Sequence, residues 1–144
     1  MPDCVIDATV IAMANGDIAG RRTGNALDRR LTVIEQVGRG ARRLRYNSKL
    51  QREYGRIVQQ YRNDAVELFF IVLADRSVFV ARSTLSRQHH ATATQKCKWP
   101  SHDQHLLAAA LDGVDPTIFV TEPFHVQCAA SVLAHFKIHV ADLG

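Results

Sequence analysis

The chain has 144 residues, 47% of them hydrophobic and 22% charged, with a formal net charge of +4. That is the balance of an ordinary globular protein, and a domain of this size buries roughly 68 to 70% of its unfolded surface. No apolar run approaches the ~20 residues of a membrane helix.

The longest such run, Leu68 to Ala74, reads as core. Asp3 and Asp7 interrupt the only early apolar stretch and no basic start precedes it, so an export signal is not expected and a cytoplasmic location is. Cys4, Cys97 and Cys128 are odd in number with no close pair, which suits reduced thiols.

Val5, Ile6, Val10 and Ile11 form a nearly continuous apolar stretch, read as a first strand buried on both faces. Asn25 to Val37 carries apolar residues at helical period and stops at Gly38 and Gly40. Arg42 to Tyr46 is a short, arginine-rich strand. Ser48 with Gln51 forms a capping-box pattern ahead of a helix whose apolar stripe is Leu50, Tyr54, Ile57, Val58 and Tyr61. Asp64 with Glu67 repeats that start signal, and Ala65 to Leu73 reads as a buried helix, although Phe69 to Val72 alone also suits a strand.

Ser77 to Ala81 resembles a strand end, and the polar stretch Ser83 to Pro100 reads as a loop with at most one helical turn. Ser101 with Gln104 predicts another capped helix, with Leu106, Leu107, Ala110 and Leu111 on its core face and Gly113 at its end. Thr117 to Thr121 is a β-branched strand stopped by Pro123. A last helix, His125 to Phe136, and a last strand, Lys137 to Val140, complete the chain. Strands alternating with helices predict a three-layer α/β/α fold around a central, mainly parallel sheet, in a single domain over residues 1–144.

Charge is unevenly spread. Between Arg21 and Arg62 stand twelve Lys or Arg against Asp28, Glu35 and Glu53, and eleven of the twelve are Arg. Such a segment suits a polyanion, because planar guanidinium groups match phosphate oxygens, or else it is a solvated helical face.

Asp7, Glu53, Asp103 and Glu122 are far apart in sequence but fall near helix starts or strand ends. Ligands of open α/β sheets bind where those ends converge. Carboxylates gathered there cannot all stay ionised without a cation, and a hard divalent ion is the usual answer. Taken singly, Asp103 is equally explained by the dipole of its own helix, and Glu53 by pairing with Lys49 and Arg56.

The string Val5-Ile6-Asp7-Ala8-Thr9-Val10 resembles the opening strand of PIN-domain nucleases. Ser48-Lys49-Leu50-Gln51-Arg52-Glu53-Tyr54 resembles their second motif, Asp103 heading a Leu- and Ala-rich helix their third, and Ile118-Phe119-Val120-Thr121 the strand into their fourth. The similarity runs in order over nearly the whole chain. The fourth motif departs: with the family's Thr anchored on Thr121 its acid falls on Pro123, and with the acid on Glu122 the hydroxyl is lost.

The resemblance implies a metal-dependent ribonuclease in which Asp7, Glu53 and Asp103 hold Mg²⁺ or Mn²⁺, with Glu122 as a fourth ligand. Thr9 and Thr121 would support them, and Lys49, Arg52 and Arg56 would grip RNA phosphates. Single-stranded or looped RNA is the expected target. An antitoxin protein and a second copy of the chain are the partners it implies. The alternative is a nucleic-acid-binding module that has lost catalysis. A rival metal set, His89, His90, Cys97, His102 and His105, has no familiar zinc-finger spacing. Tyr46, Trp99 and Phe124 suit base stacking or packing.

Overall fold

The computed structural model describes residues 1–21, 25–57 and 61–144. Arg22 of the basic run and Val58 of the expected helical stripe lie outside them. Five strands, β1 (Asp3–Ile6), β2 (Arg43–Tyr46), β3 (Val78–Phe79), β4 (Thr117–Val120) and β5 (His139–Asp142), form one sheet in the order β3-β2-β1-β4-β5, every pair parallel. Parallel neighbours need crossovers, and helices supply them, giving three α/β/α layers. No helix among the described residues is long and apolar enough to cross a membrane.

β1 is central and every residue in it is buried. Its strand stops at Ile6. Val10 and Ile11, expected to extend it, instead lie in helix α1 (Ala8–Ala14), whose buried Val10, Ile11 and Ala14 sit at helical spacing. A short Val/Ile run fits either period, so the sequence could not separate them. α1 packs against α2 (Ala26–Gly38) and α3 (Ser48–Ile57), and α2 packs on α4 (Asp64–Asp75). Gly38 permits that last approach, since a Cβ there would stand 2.7 Å from a Leu68 methyl.

Two helix starts differ from expectation by one residue. α3 is capped by Asn47, whose Oδ1 accepts from the Leu50 N–H at 3.1 Å, rather than by Ser48. α4 is capped by Asn63, which accepts from Val66 N–H, and Asp64 lies inside the first turn. In both cases an Asn stands immediately before the expected cap and makes the N3 bond that defines the position.

The stretch read as a loop is partly helical: Ser86 caps α5 (Arg87–Ala91), which runs into a π-helical turn, Thr92–Lys96. Ala93, Cys97 and Trp99 are buried there, too few and too irregular to announce a period. Ser101 begins a 3₁₀ turn, Ser101–Asp103, and does not cap a helix; α6 (Gln104–Ala110) follows and lies across β1, β2 and β4. The expected last helix is two, α7 (Pro123–Val126) and α8 (Ala129–Phe136), closed by Lys137 at a left-handed φ of 60°.

Candidate functional site

β1 and β4 end level with each other, with Ile6 opposite Phe119 and the Asp7 N–H bonded to the Phe119 carbonyl at 2.9 Å. From β1 the chain crosses to β2 on one side, whereas β4 lies on the other, so the strand order switches direction beside β1. Crevices form at such points. Asp7 stands there, at the mouth of α1, and is 8% exposed.

Glu53 arrives from α3 and Asp103 from the start of α6. The placement of Glu53 is fixed by its neighbour: the Tyr54 hydroxyl, fully buried, donates to the Ile6 carbonyl at 2.5 Å. Tyr54 thus ties α3 to the end of β1, one residue before Asp7. Asp103 occupies the N-cap position of α6 yet makes no side-chain bond to its own helix. Its Oδ2 instead accepts from His125 Nε2 at 3.0 Å. Local capping therefore does not explain Asp103.

Asp7 feels the charges of the other two carboxylates. Burial pushes the Asp7 carboxyl up to about 6, Asp103 and Glu53 push it the same way, and His125 and His105 hold it down. Asp103 is also raised by burial, but its hydrogen bond to His125 and the charges of His125, His102 and His105 outweigh this and lower its pKa. So Asp7, Glu53 and Asp103, from three separate elements, share one electrostatic site.

Two histidines complete the cluster. His125 is 2% exposed, lies between the rings of Trp99 (centroids 4.6 Å apart) and Phe124 (4.4 Å), and leaves Nδ1 without a hydrogen bond among the described residues. His105, on α6, is 1% exposed. Its Nε2 stands at ion-pair distance, 2.5 Å, from Glu53 Oε1 without hydrogen-bond alignment, and His105 Nδ1 has no hydrogen-bond partner among the described residues. Glu53 therefore does not take the helix-surface pairing with Lys49 that its spacing suggested: Lys49 Nζ donates to the His102 carbonyl at 2.6 Å.

Glu122 is half-buried at the N-cap position of α7 and makes no side-chain bond to that helix. His125, three residues on, stands beside Asp103. Nothing in a single sequence marks His125, which follows the end of β4 by five residues. Thr9 and Thr121, expected to support the acids, bond to each other: their hydroxyls are 2.7 Å apart.

The basic segment divides. Arg21 and Arg30 hold carbonyls at the ends of β4 and β5, Arg43 and Arg45 surround the buried Asp3, and Arg42 packs over Phe119. Five arginines thus serve the fold before any polyanion. Arg52 and Arg56 are exposed on α3 beside Glu53, with Lys49 half-buried one turn earlier.

The rival zinc set does not assemble: His89 packs on Phe136, His102 is exposed and faces Asp103, and Cys97 is buried with its thiol pKa raised by burial. Trp99 is buried too, its indole N–H donating to the Asp103 carbonyl at 2.9 Å, which leaves packing as its role. Tyr46 stacks edge-on against Phe79, and Phe124 alone of the three aromatics is exposed at the cluster.

Among the described residues no three His, Cys, Asp or Glu side chains stand ready-made as a metal shell. Asp7, Glu53 and Asp103 are nonetheless hard oxygen donors supplied by three separate elements, the donor chemistry that a divalent ion takes. Against family models, curated proteins and solved structures, the chain finds no match.

Proposed function

We propose that the chain is a PIN-like, metal-dependent endoribonuclease acting on single-stranded or looped RNA in the cytoplasm, with Asp7, Glu53 and Asp103 as its Mg²⁺ or Mn²⁺ ligands. One observation carries the reading: the charges of Glu53 on α3 and Asp103 at the start of α6 reach Asp7 just past the carboxyl end of β1 in a parallel sheet. Fold alone would not suffice, because α/β sheets serve many chemistries.

A bound divalent ion supplies water activation and offsets charge on the leaving oxygen. The chain's own residues do the remainder. Asp7 is held by the backbone of β4, Glu53 by the Tyr54 anchor and Asp103 by His125, so the acids are preorganised for in-line attack on a phosphodiester. Lys49, Arg52 and Arg56 lie on the same helix as Glu53, and would grip the phosphates flanking the scissile bond. A protein antitoxin and a homodimer belong to this proposal as partners.

A second reading, an RNA-binding module with weakened catalysis, is favoured by the irregular fourth motif, whose acid falls on Pro123 when its hydroxyl is Thr121. Cleavage of a single-stranded RNA with Mn²⁺, measured for wild type, Asp7→Asn and Asp103→Asn, decides between them. The nuclease reading expects a loss of more than ~100-fold in both variants, since the ion contributes several kcal/mol to the transition state. Undiminished cleavage by Asp7→Asn sinks it, and binding without cleavage by wild type supports the module.

A further inference from the structure

We propose that the groove between α2 and the strands β4 and β5 binds a small organic anion, a carboxylate or phosphate carried on an apolar body, with Arg42 gripping its head group. The site stands apart from the acidic cluster, for none of Asp7, Glu53, Asp103 and His125 lines the groove.

α2 turns one face to this groove. Arg29, Thr32, Val33 and Gln36 stand at i, i+3, i+4 and i+7, which sets them in one row about 10 Å long. Phe119 of β4, Ala141 of β5 and Leu143 beyond it form the opposite wall, and the cavity between has a volume of about 460 Å³. Small-molecule sites run from roughly 300 to 1,000 Å³, so there is room for an apolar body as well as a charged head. Val33, Phe119 and Leu143 belong to the buried core, and the floor they make is apolar.

Arg42 is the polar group built into this wall. Its backbone N–H donates to the Gln36 carbonyl at 3.3 Å, and its Nε donates to Gln36 Oε1 at 2.7 Å. Its guanidinium carbon lies over the Phe119 ring, 5.1 Å from the centroid. One residue of α2 thus holds both the main chain and the side chain of Arg42. These contacts use Nε and the aromatic neighbour. Nη1 and Nη2 have no hydrogen-bond or ion-pair partner among the described residues, although the side chain is half-buried. A guanidinium fixed in this way offers paired N–H donors to a carboxylate or phosphate with little ordering left to do on binding.

The surrounding charge selects an anion. Arg29, at the other end of the row, is exposed and has no ion pair among the described residues. Asp142 lines the cavity too, but its Oδ1 accepts from Arg21 at 2.8 Å and from the Gly144 N–H at 2.9 Å, so its charge is already met. A neutral apolar ligand would strip water from Arg42 and give nothing back, whereas an anion replaces the lost hydrogen bonds. A bare inorganic anion would meet the guanidinium and leave the apolar floor uncovered.

The test uses 1-naphthyl phosphate, 1-naphthoate, inorganic phosphate and neutral 1-naphthol on the full chain, with affinities from calorimetry and contacts from amide NMR shifts. Both aryl anions are expected to bind, with shifts centred on Val33, Gln36 and Leu143, and roughly tenfold or more tighter than inorganic phosphate or 1-naphthol. Arg42→Gln should remove that advantage, and Arg42→Lys, which keeps the charge and loses the fork, should not restore it. Gln36→Leu, which leaves Arg42 in place without its brace, should weaken both aryl anions several-fold and covers the case in which an Arg42 variant fails to fold. The tighter of the two anions names the head group. Naphthol bound as tightly as the anions, anion affinity undiminished in Arg42→Gln, shifts centred elsewhere, or no binding of either anion by wild type overturns the proposal.

Discussion

The Tyr54 hydroxyl and the Ile6 carbonyl, 48 positions apart, are bonded at 2.5 Å inside the core, and each is adjacent in sequence to a site carboxylate, Glu53 and Asp7. The bond therefore sets the distance between two acids without touching either. Tyr54→Phe keeps the ring against Phe69 and removes only the hydroxyl. We expect a loss of about 1 to 2 kcal/mol in stability, with Mn²⁺ affinity falling several-fold although every ligand is retained. Denaturant melts and calorimetry check both halves, and an unchanged affinity would detach Tyr54 from the site.

Asp7 makes the metal-free protein sensitive to pH. Its carboxyl is raised from 3.8 to about 6, so its contribution to stability is fully present below pH 3.8 and is lost as pH rises through about 6. A gap of that size corresponds to on the order of 3 kcal/mol. Asp7→Asn should therefore be more stable than wild type at pH 8 without metal, and the difference should shrink towards pH 4. Chemical denaturation of both proteins across that window is the measurement. Wild type more stable than Asp7→Asn at pH 8 contradicts the account.

At the opposite end of β1, Asp3 is fully buried and bonded to Arg43 at 2.6 Å and to the Val114 N–H at 2.7 Å, with Arg45 at 3.7 Å. Burial opposes its ionisation, but the bonds from Arg43 and Val114 and the two guanidinium charges win, so its pKa is lowered. The stabilisation is present above about pH 3.8 and lost as pH falls below it. Arg43→Met should destabilise the fold at pH 7, because it leaves a buried carboxylate short of its main partner, and do so less at pH 3. Metal affinity should not change, which makes this variant a control for fold against site.

Thr9 and Thr121 join the start of α1 to the end of β4 through hydroxyls 2.7 Å apart. Thr121→Val strands the Thr9 hydroxyl and should cost about 1 kcal/mol, whereas the double variant with Thr9→Val should cost little more. A double-mutant cycle reads the coupling, and additive losses would show that the two hydroxyls are independent.

The order of elements was legible because α2 and α4 carry long apolar patterns and β4 a β-branched run. α1 was missed because Val10 and Ile11 continue the apolar run of β1 across Asp7, and only the tertiary position of Asp7 at a strand end breaks it. α5 was missed because its one-turn signal, Ser86, precedes residues with no apolar stripe. Among the site residues, Asp7, Glu53 and Asp103 were visible by resemblance and by their place near element ends. His125 was not, since its proximity to Asp103 is created by two turns of chain on either side of β4. The basic segment misled in part, because carbonyls that cap the sheet's ends are a use for arginine that composition cannot distinguish from phosphate binding.

Trp99 is the chain's single tryptophan, and it lies against His125 with centroids 4.6 Å apart while its indole N–H holds the Asp103 backbone. Nature has thus installed one fluorophore directly beneath the acids, with no second indole to blur its signal. Emission from the unlabelled protein becomes a local gauge: occupancy of the cluster, or a shift of the imidazole against it, alters brightness before any unfolding does.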